Sequence, residues 1–537
     1  MIYNKVTYYS LSLLLVFTIK AQEFLPGPYG INYFDIAGPF VISDIGVRQS
    51  GDLDGDRLID LKDILLYTSY LDDEILLSDE DMSYADINQD TNIDIIDIIL
   101  GIDKIFNFSP ALWSFEDSWI GGESYILIPS SSLWQQHVKL ELLQNSPLNV
   151  HYIFLSNLDA NYQYMLNLKA EFDVVLNQLS PELKNHWLSH LHFSAKKISE
   201  YNDWLSMGLS NRQALGINQF QLLQEVGSLA NPDGFVGNYL HYLAHEALFY
   251  DYEWNVLNED PSTYDEITVF EKEHYTGGWA STISQVVEFP SHEQLNNYSG
   301  MSIELLRGCP DANGNYSDQG CDDYDRIARM FICDEDESNC NEAARWITPF
   351  DRQPHHLTDI SSFISMVKPG GNKIVKFQES GWPNSLLTMR FRFYHNQNVT
   401  DTPQDFQAMW VGTIPFNPDF DDNTAPIVFN VPDDATKVEF VSYITGHGWG
   451  CDGFNCAEFC NSKHIFTVNG GVYEFDTSYP EADDNDYCME LETIVQGVKP
   501  NQWGTWGYGR AGWCPGQDVH PMITDITDYV AIGDDNV

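Results

Sequence analysis

The chain has 537 residues and a formal net charge of −52 at pH 7, with 79 acidic against 27 basic side chains. A field this negative repels nucleic acid and anionic membranes, which excludes both as partners. Hydrophobic residues make up 43% of the chain, so we expect folded domains rather than disorder, and the length is sufficient for three or four of them.

Residues 1–21 have the pattern of a secretory signal peptide. Lys5 precedes the apolar run LSLLLVFTI, and Ala21 follows it. The run is too short to span a bilayer, and no later stretch approaches the roughly 18 apolar residues of a spanning helix. We therefore expect a secreted protein, extracellular or periplasmic, in a compartment where cysteines usually pair.

Residues 46–106 contain an internal repeat, DLDGDRLIDLKD (52–63) followed by DINQDTNIDIID (86–97). Each copy places oxygen-bearing side chains at loop positions 1, 3, 5, 9 and 12, and an apolar helical run follows. Calcium prefers six to eight such oxygen ligands from a flexible loop, so the repeat predicts structural Ca²⁺. The predicted ligands are Asp52, Asp54, Asp56, Asp60 and Asp63 in the first loop, and Asp86, Asn88, Asp90, Asp94 and Asp97 in the second.

The pair resembles a dockerin, a small α-helical, EF-hand-like calcium domain whose loops carry Asp at position 12. The resemblance implies a cohesin-like partner. Position 6, where such loops usually have Gly, is Arg57 in one copy and Thr91 in the other. A left-handed backbone at these positions costs energy, most of all for the β-branched Thr91.

Residues 110–275 alternate between strand and helix patterns. SYILIP (124–129) and NVHYIFLSN (149–157) are apolar strands, and each is followed by a segment with helical spacing. This order predicts an α/β domain, similar to a thioredoxin-like fold but without a Cys-x-x-Cys motif for redox chemistry. Two histidine pairs occur here, His190/His192 and His241/His245, and we interpret them as packed or solvated rather than as metal ligands.

Beyond residue 285 the chain has many short strand patterns separated by turn residues. The segments NKIVKF, PIVFNV and TKVEFVSYI are β-like, and HIFTVNGGVYEF has an Asn469-Gly470 hairpin turn. Such a series predicts β-sandwich or jelly-roll domains in the C-terminal half.

The segment GCDGFNCAEFCNSKH (450–464) allows two interpretations. Cys451, Cys456, Cys460 and His464 have a spacing that could hold zinc. In an oxidising compartment, a Cys456–Cys460 disulfide that fixes the direction of Glu458 is the favoured interpretation.

Three acids are candidate catalytic groups. Asp325 lies in GCDDYDRIARMF, Glu379 in KFQESGW, and Glu458 in the cysteine-rich segment. Each follows or precedes a strand-like run and lies close in sequence to a cysteine, an arginine or a tryptophan. Carboxylates held on rigid loops near arginines and tryptophans suit polar chemistry on a sugar-bearing substrate.

The segments CPDANGNYSDQGCDDYDR, ITPF, DISSF, ITGHGWG, NCAEFCNSKHIFTVNG and GRAGWCPG together resemble the peptide-N-glycosidase F family, over residues 285 to 520. The resemblance implies two jelly-roll domains packed side by side, at 285–425 and 426–537, with the active site between them. It also implies hydrolysis of the amide that joins the innermost GlcNAc of an N-linked glycoprotein to asparagine. The implied products are an aspartate and a glycosylamine, and no metal is required.

By position, the resemblance makes Asp325 the principal catalytic acid and Glu458 the second. Glu379 becomes the third, which helps to hold the chitobiose core. The implied substrate-binding residues are Arg326, Arg510, Trp449 and Trp513. The implied disulfides are Cys309–Cys321, Cys456–Cys460 and Cys488–Cys514. Sequence spacing alone suggests a fourth, Cys333–Cys340, and Cys451 is then left without a predicted disulfide partner.

Two departures from the family pattern accompany the resemblance. Trp382 is displaced by one residue relative to Glu379, and the chain ends at Val537, earlier than the family pattern implies, so we expect either a trimmed second jelly roll or an incomplete sequence. One alternative function is a non-catalytic glycan-binding or scaffold-attached module of the same fold. Another, from fold analogy alone, is a copper monooxygenase that uses His355 and His356.

Overall fold

The structure is a computed structural model. It describes residues 23–537 with gaps at 108, 131–135, 157–160, 211, 213, 227–240, 277, 311–315, 318–320, 381–383, 396–401, 449–455 and 502–504. The predicted signal peptide, residues 1–21, lies outside the described residues. No described helix is long and apolar enough to cross a membrane.

The N-terminal half alternates strands and helices. Its strands are β1 (Val41–Asp44), β2 (Ala111–Ser114), β3 (Ser124–Ser130), β4 (Val150–Ser156), β5 (Leu191–Lys197), β6 (Leu215–Ile217) and β7 (Leu223–Gln224). Its helices are α1 (Leu61–Leu71), α2 (Asp79–Ala85), α3 (Ile95–Phe106), α4 (Phe115–Ser118), α5 (Gln136–Asn145), α6 (Asn161–Leu176), α7 (Pro181–His190), α8 (Trp204–Gly208) and α9 (His241–Leu257).

Strands β1 to β7 form one mixed sheet in the order β2-β1-β5-β4-β3-β6-β7. The three central strands β3, β4 and β5 are parallel, and every residue of β4 is buried. Helices α5, α6 and α7 connect these strands, as parallel pairing requires. The strand–helix–strand pattern read from the sequence is therefore present, while the thioredoxin-like assignment stays a prediction.

The acidic repeats, predicted to bind calcium, are inserted between two strands of this sheet. Strand β1 precedes them and β2 follows them, yet the two strands pair antiparallel along their whole length, from Val41↔Ser114 to Asp44↔Ala111. The predicted start of the α/β domain at residue 110 is therefore corrected, because its sheet includes β1. The repeats lack a sheet and have a small core of their own formed by Leu53, Tyr67, Ala85 and Ile98.

The remainder of the chain consists mainly of strands. They are β8 (Tyr264–Tyr275), β9 (Ser281–Phe289), β10 (Tyr298–Pro310), β11 (Tyr316–Ser317), β12 (Ile327–Cys333), β13 (Cys340–Ile347), β14 (His355–Asp359), β15 (Gly371–Glu379), β16 (Ser385–His395), β17 (Phe429–Asn430), β18 (Glu439–Ser442), β19 (Lys463–Val468), β20 (Tyr473–Ser478), β21 (Met522–Asp525) and β22 (Asp535–Asn536). Short helices α10 (His292–Leu295), α11 (Phe420–Asn423) and α12 (Leu491–Ile494) interrupt them.

Strands β8 to β16 form two antiparallel sheets around a shared core. One sheet has the order β11-β10-β16-β8 with β14 on β10, and the other has the order β13-β12-β15-β9. Their facing side chains, among them Met301, Phe377 and Phe391, belong to one buried cluster. The predicted boundaries at 275 and 285 are therefore corrected, because β8 pairs along β16 and β9 along β15.

The described part of 426–537 forms three separate two-stranded ladders, β17–β22, β18–β21 and β19–β20. The predicted β19–β20 hairpin is present, but its last pair is Val468↔Tyr473, so the connection has four residues, 469–472, rather than two. Asn469 and Gly470 in this loop have positive φ values of 51° and 71°. The chain is thus multidomain and rich in sheet, and the two jelly rolls stay a prediction.

Candidate active site

The side chain of Arg510 connects two of the three predicted catalytic acids. Its Nη2 lies 3.5 Å from Asp325 Oδ2, and its Nε lies 3.3 Å from Glu458 Oε1. The guanidinium has no solvent exposure, whereas the carboxylates of Asp325 and Glu458 are 19% and 16% exposed. One buried cation therefore holds two acids, distant in sequence, at a partly open surface.

The remaining donors of Arg510 are fixed by the chain just before it. Nη1 donates to the carbonyl oxygens of Thr505 and Tyr508, at 2.9 and 2.6 Å, and Nη2 donates to Thr505 Oγ1 at 2.7 Å. The aromatic rings of Phe459 and Trp513 pack against the guanidinium, at 5.1 and 4.8 Å. These contacts leave the arginine little freedom to turn away from the two acids.

Backbone contacts hold the loop that carries Glu458. The backbone N–H of Ala511 donates to the Glu458 carbonyl, and Gly446 donates in turn to the Ala511 carbonyl, both at 2.9 Å. A Cβ at Gly446 would lie 1.7 Å from the Ala457 carbonyl oxygen, so only glycine fits there. The backbone N–H of Gly448 donates to Glu458 Oε2 at 3.1 Å, which orients the carboxylate.

Both acids have pKa values above their ordinary range. Burial is the largest cause of the raised pKa of Asp325, and the charge of Arg510 opposes it. Burial also raises the pKa of Glu458, again against Arg510, and the nearby charge of Asp325 raises it further. Carboxyl groups whose environment favours the protonated form are suited to transfer protons near neutral pH.

Glu379, the third predicted acid, lies on β15 opposite Ala328 and is fully buried. Its two oxygens accept from Arg307 Nε and Nη2, at 2.8 and 2.6 Å, and both side chains are at most 1% exposed. A glutamate enclosed in this way cannot contact a substrate in this structure. The predicted role in holding the chitobiose core is therefore not matched by its position.

Two other predicted binding residues have contacts that differ from those expected. Arg326 Nε donates to Asp322 Oδ2 at 3.1 Å, so its hydrogen bond is to Asp322, while its charge acts to lower the pKa of Asp325. Trp513 is 5% exposed, and its Nε1 donates to the Gly446 carbonyl at 2.7 Å. Trp513 packs against the guanidinium of Arg510, and its ring has no exposed face on which a sugar could stack. Trp449 lies outside the described residues.

Sequence reasoning missed several polar neighbours of this site. His447 stacks on Trp513 with ring centroids 4.9 Å apart, and burial beside Arg345 lowers its pKa to about 3. Thr505 and Asp322 bind the two predicted arginines. Neither residue belongs to a recognisable sequence motif, although Thr505 lies only five residues before Arg510.

The structure contains four disulfides, Cys309–Cys321, Cys333–Cys340, Cys456–Cys460 and Cys488–Cys514. The bond between Cys456 and Cys460 removes two of the four residues that the zinc interpretation required. Cys451 lies outside the described residues. The copper alternative is also disfavoured, since both ring nitrogens of His355 lie 3.1 Å from glutamate oxygens, of Glu253 and Glu304.

The first acidic loop, residues 52–63, brings three of its predicted calcium ligands together. The ligand atoms of Asp52, Asp54 and Asp63 lie within 4.8 Å of one another. Burial, and next the charge of Asp63, raise the pKa of Asp52 to about 7. At loop position 6, Arg57 and Thr91 have φ values of 67° and 73°, the left-handed backbone that the loop geometry requires.

Comparison with known proteins agrees with the motif resemblance. The family "Peptide-N-glycosidase F, C terminal" matches residues 415–536. A curated relative from Elizabethkingia miricola, peptide-N(4)-(N-acetyl-beta-D-glucosaminyl)asparagine amidase F, is 23% identical over 302 residues, which cover 52% of this chain and 77% of the relative. The chain therefore resembles the peptide-N-glycosidase F family, as its motifs predicted.

Solved structures of such enzymes align with about half of the chain. PNGase F from Flavobacterium meningosepticum is 18% identical with a TM-score of 0.36, over 51% of this chain and 86% of that protein. PNGF-II is 15% identical with a TM-score of 0.36, over 51% of this chain and 60% of that protein.

Proposed function

We propose that the protein is a secreted amidase that hydrolyses the bond between the innermost GlcNAc and asparagine of N-linked glycoproteins. The observation that carries this proposal is the Arg510 guanidinium, which holds Asp325 and Glu458 together at a partly open surface. Residues of this kind, in this order, form the motifs that resemble peptide-N-glycosidase F. Four disulfides support export to an oxidising compartment.

In the proposed reaction, Asp325 accepts a proton from the water that attacks the side-chain carbonyl carbon of asparagine. The C–N bond then breaks, the nitrogen leaves with the sugar as a glycosylamine after gaining a proton, and aspartate remains. A raised pKa lets the same carboxyl group return the proton to the leaving nitrogen. General acid–base catalysis of this type contributes about 10²- to 10⁴-fold to the rate.

Glu458 and Arg510 have supporting roles in this proposal. The Glu458 carboxylate is oriented by Gly448 and Arg510, so it can accept hydrogen bonds from the substrate at a fixed position. The charge of Arg510 opposes full protonation of both acids. Two carboxylates and one arginine are sufficient for these steps, and we propose that hydrolysis uses no metal.

We assign Glu379 a positioning role through Arg307. Arg307 lies on β10, two residues before Cys309, whose disulfide to Cys321 anchors the loop that leads to Asp325. The ion pair between Arg307 and Glu379 connects this strand to β15 beneath that loop. Loss of the pair is expected to move Asp325 rather than to remove a contact with substrate.

The acidic repeats are proposed to bind Ca²⁺ as a structural cofactor. The crowded carboxylates of Asp52, Asp54 and Asp63 fit a cation with oxygen ligands, because a divalent charge offsets their mutual repulsion. In the second loop, Asp86 and Asp97 occupy equivalent positions and accept backbone N–H groups of Thr91 and Ile87 in the same way as Asp52 and Asp63 accept those of Arg57 and Leu53.

The helices of the repeats support a second proposal, a cohesin-like protein partner. Their outer faces expose large apolar side chains, which is unusual for a small domain that stays in water. Those that are more than half exposed are Leu61, Leu65, Ile95, Ile99 and Phe106.

Release of glycan from a denatured N-glycoprotein tests the amidase proposal. The expected result is a loss of glycan mass from the substrate and conversion of the glycosylated asparagine to aspartate. Asp325→Asn should reduce the rate by at least about 10²-fold, while the exposed neighbour Asp323→Asn should retain activity. Binding of the glycoprotein without release by the wild-type protein would favour the non-catalytic module.

A further inference from the structure

The α/β domain contains a line of two carboxylates and two imidazoles outside the proposed active site. His192 Nδ1 lies 2.7 Å from Asp44 Oδ2, and His192 Nε2 lies 3.0 Å from His151 Nδ1. The line ends where His151 Nε2 lies 3.0 Å from Glu123 Oε2. These residues come from β1, β4, β5 and the loop before β3, so only the folded sheet brings them together.

The line has too few hydrogens for its contacts. The line has three close contacts: two join a carboxylate to a ring nitrogen and one joins two ring nitrogens. Each contact needs one hydrogen, and two neutral imidazoles supply only two. Asp44 Oδ1 accepts the backbone N–H groups of Gly46 and Phe193, at 2.7 and 2.9 Å, which stabilises an ionised carboxylate. One positive charge is therefore missing from the line.

The tautomers of His151 and His192 determine where the positive charge is missing, and that place is beside Glu123. If His192 donates to the Asp44 carboxylate, its Nε2 accepts from His151 Nδ1, and the lone pair of His151 Nε2 then faces the Glu123 carboxylate. The reverse assignment would instead place a lone pair 2.7 Å from ionised Asp44. The hydroxyl of Tyr125, 3.5 Å from Glu123 Oε2, donates nothing to either histidine.

His190, which approaches the other oxygen of Glu123, also has no hydrogen to donate to it. Its Nδ1 lies 2.9 Å from both the His186 carbonyl oxygen and Ser189 Oγ; the carbonyl only accepts and the Ser189 hydroxyl donates to that same carbonyl, so Nδ1 carries the hydrogen. The Nε2 lone pair of a neutral His190 then faces Glu123 Oε1 at 3.5 Å. Two imidazole lone pairs and one carboxylate converge without a donor between them.

We propose that Glu123, His151 and His190 bind a divalent transition-metal ion of the zinc type. One ligand atom from each lies within 4.8 Å of the others, and two imidazoles with one carboxylate form a common zinc ligand set. His192 and Asp44 support the proposed ligand His151 on the side away from the metal. A metal-bound histidine usually donates its other N–H to such a partner. The cation supplies the charge that the line lacks.

The surroundings also favour a metal ion over two extra protons. The rings of His151 and His190 stack with centroids 4.3 Å apart, and two imidazolium ions at this distance would repel each other. Trp113 and Tyr125 cover His192 and His151, with ring centroids at 4.3 and 4.8 Å. Glu123 and His190 are 17% and 15% exposed, so the metal keeps an open position on the solvent side.

The expectation that His190 and His192 are only packed or solvated is thereby revised. The sequence shows an ordinary HLH segment, and the partners Glu123, His151 and Asp44 are far from it along the chain.

Metal binding by the full-length protein tests this site. The protein is stripped with a chelator, saturated with calcium so that the acidic repeats are occupied, and titrated with zinc; cobalt(II) then reports ligand geometry by its visible absorption. We expect one equivalent of zinc, and His190→Gln and Glu123→Gln should each weaken its binding by at least about tenfold. The matched control His274→Gln changes an exposed histidine on β8 and should bind as the wild type does.

Circular dichroism of each variant verifies that the fold is retained, and both altered residues are partly exposed, so loss of folding is not expected. Equal zinc affinity of the wild type and both variants would overturn the proposal. So would a wild-type protein that binds no zinc and shows an imidazolium resonance for His151 or His190 near neutral pH, because a proton would then occupy the place of the metal.

Discussion

At the scale of the residue, the candidate active site depends on one arginine with several partners. A guanidinium presents a flat fork of donors, so Arg510 can hold Glu458 with one edge, Asp325 with another and the Thr505–Tyr508 segment with the rest. Lysine offers a single point charge in its place. The two acids therefore share a partner whose shape, as well as charge, sets their separation.

Arg510→Lys should reduce glycan release by at least about 10²-fold, because the ammonium cannot hold both carboxylates in place. Arg326→Lys is the matched control, since Arg326 donates its hydrogen bond to Asp322 and a lysine keeps the positive charge that acts on Asp325. Its rate should stay within about tenfold of the wild type. Equal losses in both variants would contradict the distinct role given to Arg510.

The raised pKa of Asp325 predicts a stability cost that depends on pH. A carboxyl whose pKa is higher in the folded state binds its proton more tightly there, so its favourable contribution to stability is lost as pH rises through that pKa. Asp325→Asn removes this loss. The thermal midpoint of the variant relative to the wild type should therefore rise as the pH increases above the ordinary Asp pKa of about 4, and a constant difference would contradict the raised pKa.

At the scale of the element, the pair of Arg307 and Glu379 connects β10 of one sheet to β15 of the other. Both side chains are buried, so removal of one charge leaves the other without a partner. Glu379→Gln is expected to lower the free energy of unfolding by about 3–5 kcal/mol. The more exposed ion pair between Lys376 of β15 and Glu337 of the β12–β13 turn, tested by Glu337→Gln, should change the free energy of unfolding by less than about 1 kcal/mol.

Activity measurements separate this positioning role from substrate binding. If Glu379 acts only through the fold, the double variant Arg307→Met with Glu379→Met should recover most of the stability and part of the activity, because no unpaired charge remains. A double variant as stable as the wild type but wholly inactive would indicate that Glu379 contacts substrate after all.

His355 joins α9 of the α/β domain to the β sheets. It lies between Glu253 and Glu304, whose charges outweigh burial and raise its pKa to about 9, and Arg392 binds the far side of Glu304. The protonated form is favoured by folding, so this stabilisation is complete below the ordinary pKa of about 6.5 and is lost as pH rises through about 9. The unfolding midpoint should fall across this range in the wild type and much less in His355→Gln.

The elements differ in how far the sequence predicts them. The helices of the repeats and the βαβ order follow from local periodicity and from acids at fixed spacing, which are properties of short segments. The pairing of β1 with β2 across the inserted repeats, and of β8 with β16, depends on contacts between distant segments. The same limit applies to the sites, since Asp325 and Glu458 have local motifs whereas Asp44 and His151 have none.

At the scale of the whole molecule, the first loop of the acidic repeats, residues 52–63, connects the repeats to the α/β domain through hydrogen bonds. Arg57 donates to the Gly46 carbonyl at 2.8 Å and binds Asp173 of α6 at 3.2 Å. Lys169 of the same helix donates to the Asp56 carbonyl. The order of the first calcium loop is therefore coupled to α6, and the residues around Arg510 take no part in these contacts.

Calcium removal should consequently loosen the repeats and α6 but leave the active site intact. Without the cation, crowded carboxylates such as Asp52 and Asp63 repel each other and the first loop opens. Hydrogen exchange in EGTA should lose protection across residues 46–106 and 161–176, while glycan release stays within about twofold of its rate in calcium. The variant Arg57→Gln should show the faster exchange in α6 even with calcium present, because it cuts the link itself. Activity that disappeared in EGTA and returned with calcium would instead place the cation in the catalytic mechanism.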